Sequence, residues 1–240
     1  MKRDRFFLIM GLILFSIVLF AFAPSFYLRS LTNQDPLPFY FIIHGLFNTL
    51  WMFVLVSQSW WIQTNNFNIH KKIGTLWGLL AVAIVCMNIF IIYVVAQRPE
   101  NLNSYEMRVM GPVIGNLLGV ISFAGYIGFG FYFRRLPQIH KRLMLLGTIS
   151  MMGPALDRLH LKYEFLKFSS DYAFNSYIYV FVGSLLIISA IVIYDLITLK
   201  RPYLVSLIGL VWFLLSNELF SYIVNSGLGK EIIQFFQGTG

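Results

Sequence analysis

Apolar runs of about 20 residues recur from one end of this chain to the other, each long enough to cross a hydrocarbon core of roughly 30 Å as a helix. In a bilayer every backbone N–H and C=O must find its partner within the protein, which a helix provides within a single segment. Of the 240 residues, 58% are hydrophobic and 12% charged, against roughly 45–50% and about 25% in soluble domains. That composition excludes a soluble globular protein. The expectation is an all-α membrane protein forming one polytopic domain over residues 1–240.

Seven spans are expected, at about 6–28, 38–58, 72–96, 109–132, 142–158, 173–197 and 203–226. Three basic residues within Met1 to Arg5 give the first run the look of a signal peptide. A run of about 20 residues exceeds the roughly 7–15 of a signal h-region, and Ala21, Ala23 and Ser25 imitate a cleavage site poorly, so a retained helix is expected.

The net charge of +8 comes from 18 Lys+Arg against 10 Asp+Glu, in short clusters between spans. Such clusters set topology and meet anionic headgroups, and none is long enough to follow a phosphate backbone. The bilayer is the expected partner, and nucleic acid is not. With a cytoplasmic N-terminus, Lys2, Arg3, Arg5, Lys71, Lys72, Arg134, Arg135, Lys141, Arg142, Lys200 and Arg201 lie inside. Arg29, Arg98, Arg108, Arg158, Lys162, Lys167 and Lys230 then lie outside, mixed with Asp35, Glu100, Glu106, Asp157, Glu164 and Asp171. This bias places the protein in a bacterial inner membrane with its C-terminus outside. Trp60, Trp61, Trp77, Tyr126 and Tyr203 fall near the cytoplasmic ends, as interface aromatics do. The lone cysteine, Cys86, excludes an internal disulfide and a Cys-based metal site.

Short loops imply antiparallel helical hairpins. Gly111-Pro112 and Gly153-Pro154 mark expected kinks, and Gly111, Gly115 and Gly119 at spacing four suggest close packing of the fourth helix. Asn68-Ile69-His70-Lys71-Lys72 and Gln138-Ile139-His140-Lys141-Arg142 are offset by 70 residues, with Gly45 over Gly115 and Phe53 over Phe123. Either the second-third hairpin is repeated as the fourth-fifth, or the positive-inside rule produced both basic clusters.

Four histidines divide between the faces, His70 and His140 at the cytoplasmic ends, His44 and His160 toward the outside. One pair per side is the arrangement of two bis-imidazole haems stacked across a bilayer, each histidine acting as an axial ligand. His44 also shares a helical stripe with Asn48 and Trp51, and polar groups at that depth usually face a bundle interior. An outer polar cluster joins Asn48, Asp157, Arg158, Asn217 and Glu218, with Arg158 expected to pair with Glu218 and Asp157 to share a face with His160. With His44 added, that cluster would suit a zinc or iron site. His-Glu-x-x-His, Gly-x-Ser-x-Gly, phosphate-binding glycine loops and repeated histidine boxes are all missing.

The strings His70-Lys71-Lys72-Ile73-Gly74 and His140-Lys141-Arg142-Leu143, with Gly153-Pro154-Ala155, Arg158, His44-Gly45, Trp51 and Gln58, resemble an uncharacterised family of bacterial polytopic membrane proteins. The resemblance covers residues 40–160 and implies no particular activity. The chain is more distantly similar to the cytochrome b561 superfamily, whose four central helices carry paired haem-ligating histidines. That similarity implies haem b on His44, His70, His140 and His160, although here the inner histidines stand at helix ends and one helix supplies both His140 and His160. Three readings of function follow. The chain is a haem-b-binding or redox-associated protein, a non-catalytic subunit or assembly partner of a membrane complex, or a metal-dependent enzyme or small-molecule or lipid transporter built on the outer cluster.

Overall fold

The computed structural model describes residues 5–32, 34–97 and 110–238, with the backbone alone at 172 and 173. Lys2, Arg3, Arg98, Glu100, Glu106 and Arg108, which entered the orientation argument, lie outside the described residues. Among the described residues the chain is all helix and turn. Helix α1 (Phe6–Phe22) continues through a π-helical turn at Ala23–Tyr27, where Pro24 removes a backbone donor. Then come α2 (Phe39–Gln63), α3 (Phe67–Ala96), α4 (Gly111–Tyr132), α5 (Pro137–Ser150) and α6 (Gly153–Lys162). The short α7 (Tyr172–Ser176) passes through a π-helical stretch into α8 (Gly183–Leu199), followed by α9 (Leu204–Asn225) and α10 (Leu228–Gln237).

Six helical segments are long and apolar enough to cross a membrane: Phe6–Tyr27, Phe39–Gln63, Phe67–Ala96, Gly111–Tyr132, Phe174–Leu199 and Leu204–Asn225. The expected span at 142–158 is not one continuous helix. Its polypeptide is divided into α5 and α6 at Met151–Met152. Proline is the cause, since Pro154 has no N–H for the Ser150 carbonyl and its ring clashes with that carbonyl in a continuous helix. Pro112 and Pro137 also stand in the first turns of α4 and α5, where a missing N–H costs nothing. Gly111-Pro112 therefore opens a helix, and the expected kink at Gly153-Pro154 is a full break.

The carbonyl released by Pro154 meets a close backbone-to-backbone approach. A Cβ on Gly119 would stand 2.9 Å from the Ser150 oxygen, and Ser150 Oγ donates to the Gly119 carbonyl at 3.3 Å. Of the three spaced glycines, Gly119 makes this contact, Gly115 faces Phe220 at 3.8 Å and Gly111 faces open space. Gly119→Ala is expected to cost about 1–3 kcal/mol, because the obstructing atom is backbone and cannot rotate away. Thermal unfolding in detergent measures it, and an unchanged midpoint would mean that α4 and α5 can part freely.

Leu14, Ala21, Ile84, Phe123, Leu145, Ile149 and Ile191 form the central core, drawn from α1, α3, α4, α5 and α8. A second cluster of Ile92, Ala96, Val113, Ile114 and Ile233 lies where α10 closes over the ends of α3 and α4. Gln97 Nε2 donates to the Phe236 carbonyl at 2.6 Å, and Gln237 Nε2 to the Ala96 carbonyl at 2.8 Å, so the ends of α3 and α10 each satisfy a carbonyl of the other. The span of α9 is the least buried of the six.

The two pentads occupy equivalent places. His70 is the fourth residue of α3 and His140 the fourth of α5. The helices that follow differ, α3 running unbroken for 30 residues where α5 stops after 14. Phe53 is 55% exposed whereas Phe123 is 1% exposed, so the aligned positions do not share an environment.

Candidate functional site

His70 and His140 are brought together. Their ring centroids lie 6.4 Å apart with planes inclined at 81°. Each ring is held through Nδ1. His140 Nδ1 lies 2.8 Å from the Gly130 carbonyl, and because a carbonyl only accepts, this nitrogen carries the proton and Nε2 keeps its lone pair. His70 Nδ1 lies 2.5 Å from the side-chain amide of Gln58, whose other end meets the Trp77 indole N–H at 3.1 Å. Gln58 and Trp77 thus belong to the site, although sequence reasoning used Gln58 only as a resemblance and Trp77 only as an interface aromatic.

Beside this pair lies a group that sequence reasoning missed. Arg142, counted above as a topological charge, is wholly buried in an ion pair with Asp195 of α8, itself wholly buried. Asp195 also accepts from Ser206 Oγ at 2.5 Å and from the Tyr203 N–H at 3.2 Å. Arg142 Nη1 donates to the carbonyl and side-chain oxygen of Gln138 at 2.8 and 2.9 Å, and the guanidinium lies 4.4 Å from the Tyr203 ring centre. Lys141 reaches over the Phe7 ring at 4.3 Å. Two buried charges with most of their donors and acceptors met form a structural lock between α5, α8 and the start of α9. The available signal was Asp195, an acidic residue inside an apolar run, which demands a partner.

The residues expected on the outer side do not gather. Asn48 Nδ2 donates to the His44 carbonyl at 2.8 Å and lies 3.4 Å from His44 Nδ1. Trp51 leaves that polar stripe for the core, 4% exposed, donating to Thr148 Oγ1 at 3.1 Å and meeting Phe123 edge-on. Arg158 is close enough to His44 to act on it electrostatically, donates to the Pro154 carbonyl at 3.0 Å and covers the Phe22 ring at 4.6 Å. It does not pair with Glu218, which is exposed on α9. Asn217 turns back onto its own helix, donating to the Phe213 carbonyl at 2.8 Å. His160 lies buried in α6, three positions after Asp157 and stacked on Tyr179 at 5.8 Å. The break after α5 turns His160 onto a separate helix from His140, and His44 and His160 face different partners. Among the described residues no three His, Cys, Asp or Glu side chains come together to hold a metal ion, so His44, Asp157, His160 and Glu218 do not form the expected ligand set.

Comparison of the chain with family models, with curated proteins and with solved structures returns no match.

To hold a haem, two histidines would each need one free ring nitrogen, with the ring steadied through the other nitrogen. His140 meets this requirement outright. His70 meets it when Gln58 presents its carbonyl to Nδ1, an orientation reached by turning one amide over. The two ring centres lie 6.4 Å apart, so both histidines could serve one bound group.

Proposed function

We propose that this membrane protein is haem-b-binding and redox-associated, with His70 and His140 as the residues that would hold the haem, at the cytoplasmic end of a seven-crossing bundle in a bacterial inner membrane. The observation that carries the reading is the convergence of two imidazoles 70 residues apart, both engaged through Nδ1. Haem b would supply one-electron chemistry, and this chain would supply the ligands and a low-dielectric surround. In this reading α5 and α6 together make the remaining crossing, the two spanning about 36 Å if laid end to end at roughly 1.5 Å per residue. Lys71, Lys72, Arg134, Arg135 and Lys141 around the histidines support a cytoplasmic position for that end.

The pairing also moves the proposed centre. Depth alone favours His44 as the dominant ligand, yet His44 is engaged with Asn48 and no second imidazole is placed beside it. One haem is proposed, in place of two. The purified wild-type protein is expected to absorb as a six-coordinate haem b. His70→Ala and His140→Ala should each abolish that spectrum, whereas His44→Ala and His160→Ala should preserve it. A folded preparation that is colourless, and stays so with added hemin, would overturn the reading in favour of a packing subunit of a membrane complex.

A further inference from the structure

The structure assigns to Gln58 the task of setting which nitrogen of His70 carries the proton, through a relay that begins at Trp77. An indole N–H can only donate. At 3.1 Å from Gln58 it requires the amide carbonyl, which turns the amide nitrogen toward His70, 3.2 Å from the His70 carbonyl and 2.5 Å from Nδ1. Both of those atoms must then accept. Neutral His70 therefore holds its proton on Nε2, the opposite of His140, whose Nδ1–H donates to Gly130.

The two rings are steadied by partners of different kinds. A main-chain carbonyl inside a helix cannot reverse its polarity, so His140 permanently offers a lone pair on Nε2. A primary amide reverses by rotation about one bond. When Gln58 turns over, its carbonyl accepts from Nδ1–H, the lone pair of His70 moves to Nε2, and the Trp77 N–H loses its acceptor. His140 is thus a standing ligand and His70 a conditional one. Gln58 is the positioning residue between the two states. Its action in the ligand-free protein stands independently of haem, whereas the turnover on ligation rests on the haem reading proposed above.

The test uses the full chain in detergent with ¹⁵N-labelled histidine and tryptophan, the signals being assigned with His70→Ala and Trp77→Phe. Without haem, His70 is expected to be bare at Nδ1 and protonated at Nε2, with His140 reversed. In Gln58→Glu the carboxylate accepts from both Trp77 and His70, so His70 should switch to Nδ1–H. Protonated Nδ1 on wild-type His70, or the same tautomer in a folded Gln58→Glu variant, would overturn the assignment. Should Gln58→Glu fail to fold, Trp77→Phe replaces it: with the constraint on the amide removed, His70 should become a mixture of tautomers, and an unchanged single tautomer would count against the relay. Added hemin separates the two layers of the argument. Gln58→Met should bind it about 10–100-fold more weakly than wild type and Gln58→Glu at least as tightly, a pattern that a space-filling role would reverse. A wild type that binds no hemin removes the haem reading, while the tautomers still decide the role of Gln58.

Discussion

Arg142→Ala is expected to destabilise the protein by about 3–5 kcal/mol, the usual cost of stranding one member of a buried ion pair. The reason is Asp195. It is fully buried, and without the guanidinium its charge would rest on one hydroxyl from Ser206 and one N–H from Tyr203. The loss should appear as a much lower unfolding midpoint in detergent and as poor recovery of folded protein. Replacing both partners with apolar residues, Arg142→Met with Asp195→Leu, should recover a large part of the loss because no charge is then left buried. A double variant as unstable as Arg142→Ala would show that the surrounding hydrogen bonds, and not the stranded charge, carry the effect.

Trp51→Ala should lower stability by a similar amount, about 3–5 kcal/mol, since it removes a large buried side chain at the meeting of α2, α4 and α5. Trp51→Phe keeps most of that volume and loses the hydrogen bond to Thr148, which costs about 1 kcal/mol. Thr148 retains its bond to the Met144 carbonyl at 2.9 Å, so its hydroxyl is not stranded. The two variants separate packing from chemistry at a residue that the sequence places on one helical stripe with His44 and the fold turns into the core. If Trp51→Phe were as damaging as Trp51→Ala, the indole N–H would matter far beyond one hydrogen bond.

The helical, membrane-spanning character was legible because hydrophobicity summed over 20 residues is large compared with any single packing term. Six of the expected runs lie in long apolar helices whose limits moved by a few residues. The start of α3 moved from 72 to Phe67, carrying His70 from a loop edge into the first turn of a helix. The 142–158 run was misjudged as continuous because hydropathy ignores a missing N–H. Amphipathic α10 escaped notice since it is too short and too polar to register as a span.

Residue types and their periodicity determined what this chain could offer at each depth: paired Ile-His-Lys strings, a proline that ends a helix, a glycine where another backbone can approach. Tertiary structure decided which of those offers met. His70 found His140 while His44 and His160 diverged, and Arg142 found Asp195 while Arg158 and Glu218 stayed apart. The physical reason is that spacing along one helix places residues on a common face, whereas pairing between helices depends on their rotation and relative height. Those are set by close contacts such as Gly119 against the Ser150 carbonyl, and they are written in no single segment.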